Sequence, residues 1–78
     1  MALYAWRRRV VDSCLEQAVH ATERLRGMGV PAGLDRANHA VFLLFEAEDE
    51  AQADEIVAEL LDHAWPDWRE CIFHQSGP

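Results

Sequence analysis

The 78-residue sequence contains no lysine; all seven of its basic residues are arginine. It also lacks any apolar run close to the roughly 20 residues that a membrane-spanning helix needs. The longest run, Ala40 to Phe45, is strand-sized, so no membrane partner is expected. There are only two cysteines, Cys14 and Cys71. They form no CxxC pair and fall short of the density of a secreted disulfide scaffold, so two separate reduced thiols are expected, with a bridge between them as the alternative if they sit on neighbouring elements. The N-terminus places apolar Leu3, Tyr4 and Trp6 ahead of Arg7, Arg8 and Arg9, the reverse of a secretory signal, and a cytoplasmic location is expected.

Chemistry-bearing motifs are equally sparse. His20, His39, His63 and His74 show no ligand spacing, and zinc needs clustered ligands, so no metal is expected. Gly27-Met28-Gly29 reads as a helix stop and not as a phosphate-binding loop, so no cofactor is expected. Ser13 is accounted for by helix capping and Ser76 by the tail. Cys14 falls on an apolar helix stripe, where a free thiol behaves as a small buried hydrophobe. No catalytic residue stands out, and the chain does not read as an enzyme.

What is present divides by charge. Residues 1–45 carry six arginines against Asp12, Glu16, Glu23 and Asp35, a balance of +2. Residues 46–78 carry ten acids against Arg69 alone, a balance of −9, and the whole chain stands at −7. Such asymmetry points to a charged partner and says nothing of the fold.

Periodicity predicts six elements. Leu3 to Val11 reads as a strand, with Tyr4, Trp6, Arg8 and Val10 on one face. Ser13 and Glu16 form a capping box ahead of a helix whose apolar stripe runs through Leu15, Ala18, Ala21 and Leu25. Val30 to Leu34 contains Pro31 and fits only an edge strand or no strand. His39 to Ala47 is apolar on both faces, as a covered central strand is. Asp49 and Gln52 form a second capping box, opening a helix that Pro66 ends. Trp68 to Gln75 is the last strand candidate. This βαββαβ order predicts an α+β, ferredoxin-like split-βαβ fold: a four-stranded antiparallel sheet with both helices on one face. Residues 1–75 form the domain and 76–78 a tail.

Three surfaces follow. One apolar set of the third predicted strand must face away from the helices, either Val41, Leu43 and Phe45 or Ala40, Phe42 and Leu44. The first set is taken as an apolar interface for a homodimer, because three large side chains approach a binding-sized patch. Trp65 and Trp68 either close the core or join that interface as anchors. The second surface is acidic: Glu46, Glu48, Glu50, Asp54, Glu55, Glu59 and Asp62 on and beside the second helix. It is either a solvated outer face or a contact for a basic protein that itself binds nucleic acid, carboxylates standing in for phosphates. The third is the basic cluster Arg7, Arg8 and Arg9. A sheet bearing arginine and aromatics suits RNA, but the RNP1 signature is absent and the net charge is −7, so direct nucleic-acid binding is not expected.

The expected function is a small acidic protein–protein interaction module, in its sharpest form an inhibitor of a nucleic-acid-binding protein. In size and charge the chain is similar to the anti-CRISPR proteins of phages. The alternative is a small enzyme or ligand binder of the dimeric α+β-barrel kind, with Arg7, Arg9, His39 or His74 lining a pocket on the open sheet face.

Overall fold

A computed structural model gives the structure, and it describes residues 1–73. The chain is α+β: three antiparallel strands carry helices against one face. Strand β1 is Ala2–Arg9, helix α1 Leu15–Gly27, strand β2 Ala32–Asp35, strand β3 Ala40–Ala47, helix α2 Glu50–Ala64 and helix α3 Trp68–Cys71. The strand order is β1-β3-β2. The most apolar strand lies in the middle, where both edges are hydrogen-bonded, and β2 lies at an edge with Pro31 just outside it. The Pro31 carbonyl still accepts from the Leu44 N–H at 2.9 Å.

Local sequence explains most boundaries. Helix α1 ends in a Schellman motif: Val30 N–H donates to the Leu25 carbonyl and Gly29 N–H to the Arg26 carbonyl, both at 3.0 Å. Gly29 takes the positive φ of 86° that the motif requires, at no Cβ penalty. Helix α2 begins as expected. The Asp49 carboxylate accepts from the Gln52 N–H at 2.8 Å, and the Gln52 side chain accepts from the Glu48 N–H at 2.6 Å.

The start of α1 departs from expectation. Asp12–Cys14 forms a turn of 3₁₀ helix, and Cys14, without a side-chain cap, precedes α1. Ser13 therefore sits inside a turn and not at the capping position.

The fourth strand is the larger correction. Trp68–Cys71 is helical, and among the described residues the sheet has three strands. The turn after Pro66 starts this helix with a Trp68 N–H to Trp65 carbonyl bond of 3.0 Å. The Trp68 indole turns back to the Asp62 carboxylate at 2.8 Å. Only then does the chain extend, and Ile72 makes a single bridge to Val10 beside β1. Of the predicted strand, residues 74 and 75 lie outside the described residues, as does the tail 76–78.

The cysteines are also corrected. Cys14 and Cys71 form a disulfide, with Cα atoms 5.6 Å apart. The fold brings the start of α1 beside the end of α3, a juxtaposition no local spacing reports. Among the described residues no helix is long and apolar enough to cross a membrane.

The core lies between the sheet and the helices. Leu25 of α1, Val41 and Leu43 of β3, Leu61 of α2 and Val10 are fully buried, and Trp65, Cys71 and Ile72 close one end. The bridge joins residues 57 apart in sequence. By loop-closure entropy such a crosslink stabilises by about 4 kcal/mol. Reduction, or the double variant Cys14→Ser/Cys71→Ser, is expected to lower the unfolding free energy by about 2–4 kcal/mol in urea titration. An unchanged midpoint with and without reductant would show that the crosslink carries no stability.

Candidate functional site

The two faces of the sheet differ sharply. Cross-strand register pairs Tyr4 with Phe45, Trp6 with Leu43 and Arg8 with Val41. These residues point toward the helices. The opposite face carries the pairs Leu3–Glu46, Ala5–Leu44, Arg7–Phe42 and Arg9–Ala40. The apolar interface assigned to Val41, Leu43 and Phe45 is therefore corrected. Val41 and Leu43 are 0% exposed, and Phe45 is partly buried against the same core. Trp65 and Trp68 are buried too, at 3% and 9% exposure, so they close the core. An apolar run on both faces fixes no orientation; the register with β1, whose Tyr4 and Trp6 must be covered, decides it.

The open face instead holds Leu3, Ala5, Phe42 and Leu44. Phe42 is 36% exposed, and its ring lies over Gly33 on β2. A Cβ at position 33 would stand 2.5 Å from the ring tip, so only glycine admits the ring there. Around this patch Arg7 pairs with Asp35 at 2.9 Å.

Asp35 also organises the β2–β3 turn. It accepts from the Ala37 and Asn38 N–H groups and from the Asn38 side-chain amide. The Asn38 amide and then the other donors, Arg7 among them, hold the Asp35 carboxyl below its ordinary range. His39 closes the turn at φ 50°, its ring nitrogen 2.9 Å from Asp12. Arg7, Arg9, Asn38 and His39 do share one hollow of about 510 Å³. Arg7 is paired there with Asp35 and His39 with Asp12, while Arg9 lies over the Phe73 ring and has no carboxylate partner among the described residues. His74, the fourth residue suggested for that pocket, lies outside the described residues.

The acidic residues are all exposed but do not form one surface. Glu46 lies on the open sheet face. On α2, helical spacing sends Glu50 and Asp54 toward β1, and Glu55, Glu59 and Asp62 outward. Glu50 and Asp54 line a hollow of about 290 Å³ with Tyr4, Trp6, Arg8 and Phe45. A neighbouring hollow of about 240 Å³ shares Trp6, Arg8 and Asp54 with it and ends at Trp68 and Ile72. Together they form a groove between α2 and the outer edge of β1. Sequence reasoning missed this groove, because it depends on how α2 packs beside β1, which no local pattern reports.

The arginines explain why the acids stand without counter-charge. Arg24 donates to the Ala64 carbonyl at the end of α2, at 3.1 Å, and Arg26 to the Ala32 carbonyl at 2.9 Å. Arg8 donates to the Arg7 carbonyl at 2.7 Å and lies over the Trp6 ring. Arg9 lies over Phe73. Arg69 covers Trp68 and pairs with Asp62 at 2.6 Å. Among the described residues, then, Asp62 has an ion pair, whereas Glu48, Glu50, Asp54, Glu55 and Glu59 have none. The same residues include no cluster of three His, Cys, Asp or Glu able to hold a metal. Comparison with family models, with curated proteins and with solved structures returned no match.

The Trp68 indole N–H, followed by the Arg69 guanidinium, holds the Asp62 carboxyl below its ordinary range. A lowered carboxyl pKa contributes stability above the unfolded value, and that contribution disappears as pH falls through the folded value. Acidification below about pH 4 is therefore expected to release the Trp68 indole. Its Nε1–H resonance should shift in that window in the natural protein and stay level in Asp62→Asn. A resonance indifferent to pH in both would remove Asp62 as its partner.

Proposed function

We propose that the chain is a small acidic protein–protein interaction module, acting as an inhibitor that engages a basic, nucleic-acid-binding protein. One observation supports this above the rest: four carboxylates of α2, Glu50, Asp54, Glu55 and Glu59, make no ion pair among the described residues, although Arg8 lines the same hollow as Glu50 and Asp54. Uncompensated carboxylates along a helix present the charge of a phosphate row to a lysine- or arginine-lined channel. The fold is read as a ferredoxin-like split βαβ whose fourth strand, among the described residues, is represented by the Ile72 bridge to Val10.

The test is capture of a partner from a host lysate on immobilised protein. The expected partner is a nucleic-acid-binding protein, released by raised salt and by competing double-stranded DNA. Changing Glu50, Glu55 and Glu59 to Gln and Asp54 to Asn is expected to weaken capture at least about tenfold, since each charged contact is worth on the order of 1 kcal/mol. A partner held equally well by that variant, or one that DNA does not displace, rules the reading out.

A further inference from the structure

The sheet face turned away from the helices ends in opposite charges. Glu46 stands beside Leu3 at one end, and Arg9 stands beside Ala40 at the other. Between them lie Ala5, Phe42 and Leu44. Leu3 is 70% exposed and Phe42 36%. The Phe42 ring covers Gly33, so it also closes the β2 side of this face. Among the described residues Glu46 makes no ion pair, and Arg9 meets the Phe73 ring but no carboxylate. The Ile72 bridge and the Phe73 N–H bond sit on the outer edge of β1, beside this face and not across it. His74, Gln75, Ser76, Gly77 and Pro78 include no acid, no arginine and no large aliphatic side chain. Wherever they run, they bring no acidic side chain to Arg9, no guanidinium to Glu46 and little apolar cover to Phe42 and Leu44.

A face with an acid at one end, a base at the other and apolar side chains between them matches itself when turned round. We infer that it packs against the same face of a second copy of this chain, the two sheets stacked with their β3 strands antiparallel and Glu46 of each copy paired with Arg9 of the other.

Charge selects the orientation. A symmetric face-to-face dimer has its two-fold axis between the sheets, running either across the strands or along them. The axis across the strands, set between Phe42 and Leu44, places Phe42 over the partner's Leu44 and Glu46 over the partner's Ala40. Ala40 is small, so the partner's Arg9 can extend over it from the neighbouring strand. Stacked sheets lie about 10 Å apart, a gap that an arginine and a glutamate reaching toward each other span. Leu3 then lies over the aliphatic stem of the partner's Arg9. Arg7 is held by Asp35 of its own chain and makes no demand on the partner. The axis along the strands would instead stack Glu46 on the partner's Glu46, and like charges set against each other across an interface are costly. Size sets the strength. The three described strands, about 4.8 Å apart and about 25 Å long, form a face well below the roughly 800 Å² per partner of a standard interface. The dimer therefore belongs to the weak class, with a dissociation constant on the order of 100 μM.

The contact leaves α2 uncovered on the far side of the sheet, so this dimer and the acidic-partner reading stand or fall separately. Sedimentation equilibrium of the full chain, at loadings up to about 500 μM, is expected to show monomer and dimer in exchange. Leu44→Lys sets a charge against the partner's Phe42 and should weaken the dimer at least about tenfold, with circular dichroism unchanged. Glu46→Arg and Arg9→Glu, both at exposed positions, should each weaken it about fivefold or more, and the two together should restore it. If Leu44→Lys fails to fold, the charge-swap pair alone decides. A chain still monomeric at about 500 μM, which would leave the face to a different protein, overturns the proposal. So does a dimer indifferent to Glu46→Arg, or a double variant that stays weak, since stacking about an axis along the strands allows no such rescue.

Discussion

Tying Cys71 to Cys14 fixes where the chain goes after α2, and much else depends on that. With Trp65 and Trp68 buried and Cys71 held against the start of α1, residues 68–71 close into a helical turn. The chain regains extended form only at Ile72, near the end of β1, and meets it with one bridge. Among the described residues the rest of β1 has no outer neighbour, and a groove lies between it and α2. A small domain commonly draws stability from a crosslink because its core is thin. Here the same crosslink also shapes the surface.

Where local physics decides, the sequence was readable. The Asp49–Gln52 cap, the glycine stop after α1, the proline at the start of β2 and the central position of β3 are each short-range or compositional signals. Three features were not readable, each for a definite reason. The disulfide joins residues far apart in sequence, so spacing could not announce it. Trp68 to Cys71 read locally as strand, but the covalent tie and the Trp68–Asp62 bond favour a helical turn there, and the extended chain begins only at Ile72. Strand β3 is apolar on both faces, and period-two reasoning cannot choose between them. Of the candidate site, the acids of α2 were found and their exposure followed. Their division between groove and outer face needed the position of β1.

Arginine in this chain does work that the net charge conceals. Several guanidinium groups seek carbonyl oxygens and ring faces and not carboxylates: Arg24 on Ala64, Arg26 on Ala32, Arg8 on Arg7 and Trp6, Arg9 on Phe73. A planar fork can serve a helix end or stack on an aromatic in a way an ammonium cannot, which gives the absence of lysine a structural counterpart. Among the described residues, Asp62 alone of the acids of α2 makes an ion pair, with Arg69. Much of the positive charge acts as internal fastening, whereas most carboxylates of α2 face outward or into the groove.

The Phe42 ring lying over Gly33 has a consequence for how this chain can change over time. A methyl group at 33 meets the tip of the ring, which must then swing off β2, and a ring lost from 42 strips the cover from a bare stretch of backbone. A change at either position is therefore felt at the other strand, so among descendants of this sequence a non-glycine residue at 33 should travel with a displaced or smaller side chain at 42.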